Sequence, residues 1–456
     1  MHLLSSISVF PLLVALAGLA SAGSVALLLV LLTAAALAAR RSAPPALPGR
    51  PLALAVIVPA HNEELVLAGT LDSLSKQDYP AECFEVIVVA DNCADTTAAL
   101  AGSHGVTVLV RTHAHERGKG YALNHAISHL LSRPAPPEGF VIVDADTWVA
   151  PDFLTCMSAR LQSGGGANAP AAWQGRYGVL NFGESWRAGL MAAAFDLVNH
   201  VKPLGREVLK LSVGLKGNGM AFTRAVAAAQ PWAGGSLTED LDYGLELARR
   251  LGLRVGYAHE ARVLAQMPTD AAQAGSQRSR WERGRLKMVG ERALPLLWEG
   301  LRDRNCLLAD MGLDLVVPPL AELTALTLAW SGLVVLGAAA HLLPHPAVWL
   351  VSAALTGVGL LAYILGGLRV AGAPPEAFAA LLRAPLYVAW KFALALSGMA
   401  RRRRGAGTEE WVRTGRAPLA PEAPTSELQA PISLPTVSTS ESTSVIAAPI
   451  AEALSQ

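Results

Sequence analysis

The chain has 456 residues, of which 52% are hydrophobic and only 16% are charged, and its mean hydropathy is +0.36. An ordinary soluble domain is about 25% charged, so this composition excludes a disordered protein and disfavours a wholly soluble one. The net charge of +1 provides no basic field for a nucleic acid, and we expect no nucleic-acid partner.

The first predicted element is an apolar stretch from Leu3 to Ala39 that contains no charged side chain. A membrane span needs about 20 residues, so either one long helix or two short helices would fit. A cleaved signal peptide is the rival interpretation, but it would need a basic start and a shorter apolar run. Arg40 and Arg41 follow directly, and the positive-inside rule then places the next segment in the cytoplasm. We therefore predict a transmembrane segment over residues 1–41 and favour one long helix.

Strand and helix signals alternate through the next block, residues 42–310. Apolar strand runs are predicted over 52–59, 84–90, 106–111 and 140–143, and helical spacing is found over 63–76 and 118–131. Continuous apolar strands separated by helices indicate an α/β domain whose parallel sheet is covered on both faces. In such a sheet the ligand lies at the carboxyl ends of the strands.

Polar residues stand at those strand ends. They are Pro59, His61, Asn62 and Glu63 after the first strand, Asp91 after the second, Lys119 after the third, and Asp144 and Asp146 after the fourth. Carboxylates at three ends and a lysine at the other suit a nucleotide with a divalent metal. Asp144 and Asp146 lie on one side of an extended segment, and Mg²⁺ or Mn²⁺ prefers such hard oxygen ligands. The alternative is a turn in which both aspartates are simply solvated, because an isolated Asp-x-Asp pair is common by chance.

Two later motifs carry further chemistry. Thr238, Glu239 and Asp240 open a helical run, where Thr238 and one acid would serve as a cap and the second acid is left for base catalysis. Gln277, Arg280 and Trp281 are spaced to share one helical face. An amide, a guanidinium and an indole suit a sugar hydroxyl, a pyrophosphate and a sugar ring. The alternative is a basic helix that rests on the membrane surface.

The remaining chain is apolar and then polar. Two membrane spans, 315–340 and 346–368, are predicted within residues 311–370. An amphipathic interfacial helix over 376–399 and a run of four arginines fill residues 371–404. Residues 405–456 are predicted to be a largely disordered cytoplasmic tail. The pattern predicts a multi-pass protein of the inner (plasma) membrane whose central block faces the cytoplasm.

Taken together and in order, these motifs resemble the membrane-bound family 2 glycosyltransferases, which include cellulose, hyaluronan and poly-N-acetylglucosamine synthases. The matching pieces are Val58 to Glu63, Asp91, Gly118 to Asn124, Asp144 to Asp146, Thr238 to Asp240, and Gln277 with Arg280 and Trp281. One departure is Asn92, where many relatives have a second successive aspartate.

The resemblance implies a GT-A (Rossmann-like) fold and an inverting transfer from a UDP-sugar donor with Mg²⁺ or Mn²⁺. Asp91 would contact the uridine, and Pro59, Glu63 and Lys119 would lie along the donor. Asp144 and Asp146 would hold the donor and the metal. Asp240 would be the general base, with Glu239 beside it in the catalytic motif. Gln277, Arg280 and Trp281 would bind the acceptor and the leaving diphosphate.

Three functions remain open from the sequence. The leading hypothesis is transfer of a hexose or N-acetylhexosamine to a growing polysaccharide, with room for an export partner, because the 277–281 motif resembles the polymer-forming branch. The second is transfer of one sugar to a lipid or glycolipid acceptor. The third, from another class, is a non-catalytic membrane scaffold or translocation subunit, and the complete set of acidic motifs argues against it.

Overall fold

The computed structural model describes residues 9–39, 50–163, 170–235, 238–267 and 284–388. Eight strands form one sheet in the order β3-β2-β1-β4-β7-β6-β8-β5. The strands are β1 (Leu54–Ala60), β2 (Phe84–Asp91), β3 (Thr107–Arg111), β4 (Gly139–Ile142), β5 (Thr147–Val149), β6 (Ala172–Val179), β7 (Met220–Thr223) and β8 (Val255–Ala265). All four strands predicted from apolar runs are confirmed to within two residues at each end.

The sheet is mixed, whereas the sequence predicted a parallel sheet. The four predicted strands, β1 to β4, do run parallel to their neighbours in that set. β7 then pairs antiparallel with both β4 and β6, and β5 pairs antiparallel with β8. This half escaped prediction because β6, with the sequence AWQGRYGV, mixes polar residues and glycines and lacks a continuous apolar run.

Both faces of the sheet are buried, as a helix-covered sheet requires. Along β1, Ala55 and Ile57 enter one core cluster, which also contains Leu123 from the helix Lys119–Leu131. Their neighbours Val56 and Val58 enter the cluster on the opposite face. This alternation follows from the two-residue period of a strand, and it fixes the strand ends, where the polar residues begin.

Helices precede, cover and follow the sheet. Around the sheet they are Leu67–Ser75, Thr97–Ser103, Lys119–Leu131, Phe153–Gln162, Trp186–Phe195, Lys202–Val208, Arg224–Ala229 and Glu239–Leu251. Outside it they are Val9–Ala39, Leu294–Arg302, Cys306–Val316, Leu320–Ala339, Pro346–Ala371 and Pro375–Ala380. A short π-helical segment, Asp196–Val201, joins two of the covering helices.

Three of these helices are long and apolar enough to cross a membrane: Val9–Ala39, Leu320–Ala339 and Pro346–Ala371. The first is a single helix, as favoured by the sequence. The second begins at residue 320 and not at the predicted 315, because Pro318 and Pro319 separate it from the preceding helix Cys306–Val316. The boundaries of the five predicted domains stay predictions.

The segment predicted as one amphipathic helix, 376–399, begins with helical turns of more than one type. Its described part is a short α-helix, Pro375–Ala380, followed by a 3₁₀ turn, Leu381–Arg383, and a further helical run to residue 388. The rest of the predicted helix, the four arginines and the tail lie outside the described residues. The described part is thus helical with one 3₁₀ turn, and the interfacial helix over 376–399 stays a prediction.

Gly205 lets the helix Lys202–Val208 cross the amino-terminal helix Val9–Ala39 at close range. A Cβ atom at Gly205 would lie 2.2 Å from the carbonyl oxygen of Leu31, so only glycine fits this crossing. A second close contact, between Gly367 and Leu197, joins the helix Pro346–Ala371 to the π-helical segment. The sheet-covering helices are thus packed directly on two of the three apolar helices.

We expect Gly205→Ala to destabilise the protein, because the added methyl group forces the two helices apart. Overpacking of this kind costs about 1–3 kcal/mol. Gly102→Ala is the matched control, since Gly102 is also inside a helix and has open space around its Cα. Thermal unfolding of the detergent-solubilised chain should show a lower midpoint for Gly205→Ala only. Equal midpoints for both variants would contradict the close crossing.

Candidate active site

The ends of β1 and β2 are held in unusual backbone conformations by two asparagines. Asn62 and Asn92 have φ angles of 55° and 51°, in the left-handed region that residues other than glycine seldom adopt. The Asn62 side chain accepts a hydrogen bond from the backbone N–H of Ala94 at 2.7 Å, and that of Asn92 accepts one from His113 at 2.9 Å. These bonds offset the strain and shape one concave edge. Asn92 therefore has a structural role at the end of β2.

Asp91 ends β2 and is buried, with 5% of its surface exposed. Its Oδ1 atom accepts a hydrogen bond from Nη1 of Arg111 at 2.7 Å and another from the Asn92 amide at 3.1 Å. Arg111 stands opposite Asp91 in the parallel register of β2 and β3. The sequence analysis missed Arg111, although its place at the end of the neighbouring predicted strand was the available signal.

Pro59 and Glu63 lie at the same edge. Pro59 is in β1, paired with Val89 of β2. The backbone N–H of Glu63 donates to the hydroxyl of Thr97 at 2.8 Å, which ties the end of β1 to the helix Thr97–Ser103. The structure thus places both residues beside Asp91, and their contact with a donor stays a prediction.

Lys119 begins the helix Lys119–Leu131 and points into the site. Its ammonium donates hydrogen bonds to a carboxylate oxygen of Asp144 and to the carbonyl oxygen of Gly217. The lysine therefore joins the end of β4 to the glycine-rich segment 217–219. The sequence predicted Lys119 and Asp144 at neighbouring strand ends, and the structure brings them into direct contact.

The glycine-rich segment itself is tightly built. Asn218 is fully buried and accepts a hydrogen bond from the backbone N–H of Asp144 at 3.1 Å, while its amide donates to Thr147 at 2.8 Å. Gly217 and Gly219 have φ angles of 85° and 66°. A Cβ at Gly219 would lie 2.7 Å from the Val263 side chain. Asn218 thereby fixes the backbone on both sides of Asp146, which is itself buried.

Glu239 and Asp240 begin the helix Glu239–Leu251, and their side chains contact different residues near Lys119. Asp240 faces Gly217, because a Cβ there would lie 3.1 Å from Oδ2 of Asp240 and 3.6 Å from Nζ of Lys119. Glu239 packs on Gly120, where a Cβ atom would lie 2.5 Å from Oε2 of Glu239. Its carboxylate thus lies at the amino-terminal end of the helix that begins with Lys119, where a negative charge is favourable. The Thr238 side chain makes no cap bond, so that part of the sequence prediction is wrong.

Burial and the neighbouring charges shift the pKa values of Lys119, Glu239 and Asp240 in opposite directions. Burial raises the pKa of Glu239 to about 7 and also raises the pKa of Asp240, while the nearby Lys119 opposes both shifts. Burial lowers the pKa of Lys119, but the carboxylates of Asp144, Asp240 and Glu239 outweigh it, and the pKa is raised. Lys119 therefore stays cationic and Asp240 is a stronger base than a solvated aspartate.

The acidic residues fit a divalent cation. Asp144 and Asp146 end β4 with hard oxygen ligands, and Mg²⁺ or Mn²⁺ typically takes one or two carboxylates together with substrate phosphates. The carboxylates of Asp144, Glu239 and Asp240 act on the Lys119 ammonium, and Asp146 follows Asp144 by two residues. In the described ranges no three histidine, cysteine or acidic side chains are grouped as a complete metal cage. A metal here would need the donor phosphates as further ligands.

The three predicted acceptor residues, Gln277, Arg280 and Trp281, lie outside the described residues, and their roles stay predictions.

About half of this chain is similar to a known family and to several curated proteins. The family described as "Glycosyltransferase like family 2" matches residues 51–284, just over half of the chain. A probable glycosyltransferase of Bacillus subtilis, YdaM, is 25% identical over 261 residues, which covers 52% of this chain and 56% of that protein. A beta-monoglucosyldiacylglycerol synthase of Trichormus variabilis is 29% identical over 242 residues, covering 51% of this chain and 48% of the relative. The chain spans about half the length of these curated relatives.

Among solved structures, the mannosyltransferase PcManGT from Pyrobaculum calidifontis, in complex with GDP-Man and Mn²⁺, is similar at 20% identity and a TM-score of 0.43. The match covers 76% of this chain and 99% of that one. The family match spans the strands β1 to β8 and every described residue of the site. The family match therefore shows that the chain belongs to glycosyltransferase family 2, and its α/β unit has the GT-A-like fold of that family.

Proposed function

We propose that this chain is an inverting transferase that moves one hexose or N-acetylhexosamine from a UDP-sugar to a hydroxyl group of a membrane lipid. The observation that carries the proposal is the position of Asp240. Its carboxylate faces Gly217, whose carbonyl oxygen binds the same Lys119 ammonium that binds Asp144. Asp240, as the base, and Lys119, as the cation for the donor phosphates, therefore both lie next to Gly217.

This arrangement suits a single displacement at the anomeric carbon. The acceptor oxygen attacks that carbon, its proton passes to Asp240, and the bond to the diphosphate breaks, so that UDP leaves with the electron pair. Lys119 neutralises charge on the leaving diphosphate. Asp144 and Asp146 would hold a Mg²⁺ or Mn²⁺ ion, which supplies further neutralisation there. Glu239 places a further carboxylate at the amino-terminal end of the helix that begins with Lys119.

The ion pair of Asp91 and Arg111 supports a donor site for uridine. Arg111 occupies one carboxylate oxygen of Asp91 and orients the other oxygen, which is then available to accept a hydrogen bond from the base. Both side chains are nearly buried, with exposed fractions of 10% for Arg111 and 6% for Asp91. Water competes weakly for such a pair.

We expect Arg111→Met to weaken UDP binding by about tenfold, because it leaves the buried Asp91 without its oriented partner. The matched control is Arg133→Met, which removes the cation from Glu85 at the opposite end of the same strand. Titration with UDP and Mn²⁺ should separate the two variants. Equal UDP affinity for wild type and Arg111→Met would remove Arg111 from the donor site.

A membrane location is supported by more than the three apolar helices. The helix Leu294–Arg302 exposes Leu294, Trp298 and Leu301, with 70%, 66% and 70% of their surfaces accessible. These residues are spaced to lie on one helical face, as in helices that rest in the interface of a bilayer. We propose a multi-pass protein of the inner membrane with its catalytic unit in the cytoplasm, where nucleotide sugars are available.

Two acceptor classes are supported by different observations. A lipid is favoured by the relative from Trichormus variabilis, whose name gives a beta-linked glucosyl diacylglycerol as its product. A growing polysaccharide, with its export partner, is favoured by the motif of Gln277, Arg280 and Trp281, which resembles the polymer-forming branch. We place the lipid first, since a family relative with a named product acts on one.

The product that the purified chain forms in vesicles containing diacylglycerol distinguishes the lipid acceptor from the polysaccharide acceptor. We expect Mn²⁺-dependent UDP release from one UDP-sugar and a lipid that carries one sugar. A product that lengthens with time would favour the polysaccharide. Donor hydrolysis without any sugar-bearing lipid or polymer would contradict both acceptors.

A further inference from the structure

Lys216 is a half-buried lysine next to the catalytic centre that the proposed mechanism does not use. It directly precedes Gly217, the residue that lies between Lys119 and Asp240. Its backbone N–H donates to the buried Gln174 at 2.7 Å, which fixes the chain at this point. Asp240, Lys202, Arg206 and Asp314 are among the charges that act on its ammonium. Nε of Arg206 donates a hydrogen bond to the carbonyl oxygen of Ser212 at 2.6 Å, and Ser212 is four residues before Lys216. The segment 212–217 therefore runs from the helix Lys202–Val208 to Gly217, which faces Asp240.

The cations around Lys216 are paired. Lys202 lies 2.7 Å from Asp314, and Arg206 contacts both Asp310 and Asp314 at 2.5 and 3.1 Å. Lys119 is bound to Asp144. The Lys216 ammonium, in contrast, has no hydrogen bond or ion pair anywhere in the described part of the chain. The Lys216 ammonium is thus without a direct ion-pair partner among the described residues.

An unmatched ammonium in a half-buried position is unfavourable unless an anion joins it. Burial lowers the pKa of Lys216, and the positive charge of Lys202 lowers it further. Neither nearby acid forms an ion pair with it, because Asp314 is shared by Lys202 and Arg206, and Asp240 faces Lys119 across Gly217. An anionic ligand group would supply the missing charge.

The position of Lys216 indicates the direction from which this anion arrives. Two of its charged neighbours, Lys202 and Arg206, belong to the helix that crosses the amino-terminal apolar helix at Leu31. A third, Asp314, precedes the apolar helix Leu320–Ala339 by six residues. Lys216 therefore lies where two candidate membrane helices meet the catalytic unit, whereas Lys119 holds the donor side. An anion that emerges from the membrane would meet Lys216 on its way to Asp240.

We propose that Lys216 binds the phosphate of an acceptor lipid, and that the natural acceptor is an anionic phospholipid with a free headgroup hydroxyl. The phosphate would pair with the Lys216 ammonium, and the hydroxyl would face Asp240, which takes its proton as the oxygen joins the anomeric carbon and UDP leaves. This inference rests on the proposed transfer to a lipid and narrows the lipid to one charge class.

Binding is tested without catalysis first. Dihexanoylphosphatidylglycerol is titrated by calorimetry into the solubilised full-length chain, with dihexanoylphosphatidylcholine as the zwitterionic counterpart. We expect Lys216→Met to weaken phosphatidylglycerol binding about tenfold or more, as expected for the loss of a charge-assisted contact, and Lys216→Arg to retain it. Lys210→Met is the control, since Lys210 is exposed on the neighbouring helix end. Lys216→Gln repeats the test if the methionine variant unfolds, with UDP binding as the measure of folding.

Activity then separates this proposal from the proposed function. In vesicles at equal mole fractions, Lys216→Met should raise the KM for phosphatidylglycerol and leave both the KM for diacylglycerol and the affinity for UDP unchanged. Unchanged phosphatidylglycerol binding in Lys216→Met would overturn the inference even if transfer to diacylglycerol proceeds. An equal loss of UDP affinity would assign Lys216 to the donor and overturn it too. Lys216-dependent lipid binding without transfer to any lipid would instead contradict the proposed function and leave the anion site standing.

Discussion

Asp240→Asn is expected to reduce sugar transfer by about 10²–10⁴-fold while UDP binding is retained. The amide keeps the shape of the side chain but cannot take the proton of the acceptor, and general-base catalysis contributes about that factor. The carboxylate faces Gly217 and is separated from Asp144 by Lys119, so the change leaves the donor side intact. Initial rates of UDP release and UDP affinity, measured on one preparation, test both halves of the prediction.

Asp242→Asn is the matched control for that variant. Asp242 lies on the same first helical turn and pairs with Arg292 at 3.7 Å, away from Lys119. We expect this control to transfer sugar at the wild-type rate. Wild-type activity in Asp240→Asn would refute Asp240 as the base and leave Glu239, with its pKa raised by burial to about 7, as the alternative proton acceptor.

Asp146→Ala is expected to weaken Mn²⁺-dependent UDP binding by at least about ten- to hundredfold, the range found when even the outer partners of a metal site are removed. Asp146 is buried between Asp144 and Thr147, both of which are bonded to the Asn218 side chain, so no exposed carboxylate takes its place without a backbone shift. The measurement is a titration of UDP with and without Mn²⁺.

Asp152→Ala serves as the control for Asp146, because Asp152 is an exposed aspartate close by in sequence whose side chain makes no cap bond. UDP affinity should respond to Mn²⁺ in this control as in wild type. If the response to Mn²⁺ is the same in Asp146→Ala, the metal is bound elsewhere or is not used.

The strands and the acidic strand ends could be predicted because both follow from local pattern. Continuous apolar runs mark β1 to β4, Asp91 and Asp144 follow such runs directly, and Lys119 comes after the turn that follows β3. Their meeting at one edge is a property of parallel strands, so it needed no contact information.

The rest depends on contacts between distant residues. The residues around Arg111 in the sequence do not indicate that it pairs with Asp91, 20 residues away. The pairing follows from the register of β2 and β3. The role of Glu239 was similarly hidden, because its partner Gly120 lies on another helix. β6 mixes polar residues and glycines, and its partner β7 has only four residues, so neither gave a clear strand signal.

The most direct test of the central claim is the anomeric configuration of the product. The purified chain, reconstituted with Mn²⁺ and an α-linked UDP-sugar, is allowed to glycosylate its lipid acceptor, and proton NMR of the product reads the new linkage. A single displacement with Asp240 as base predicts a β-linked sugar. An α-linked product would require a different mechanism and would contradict the assignment of Asp240.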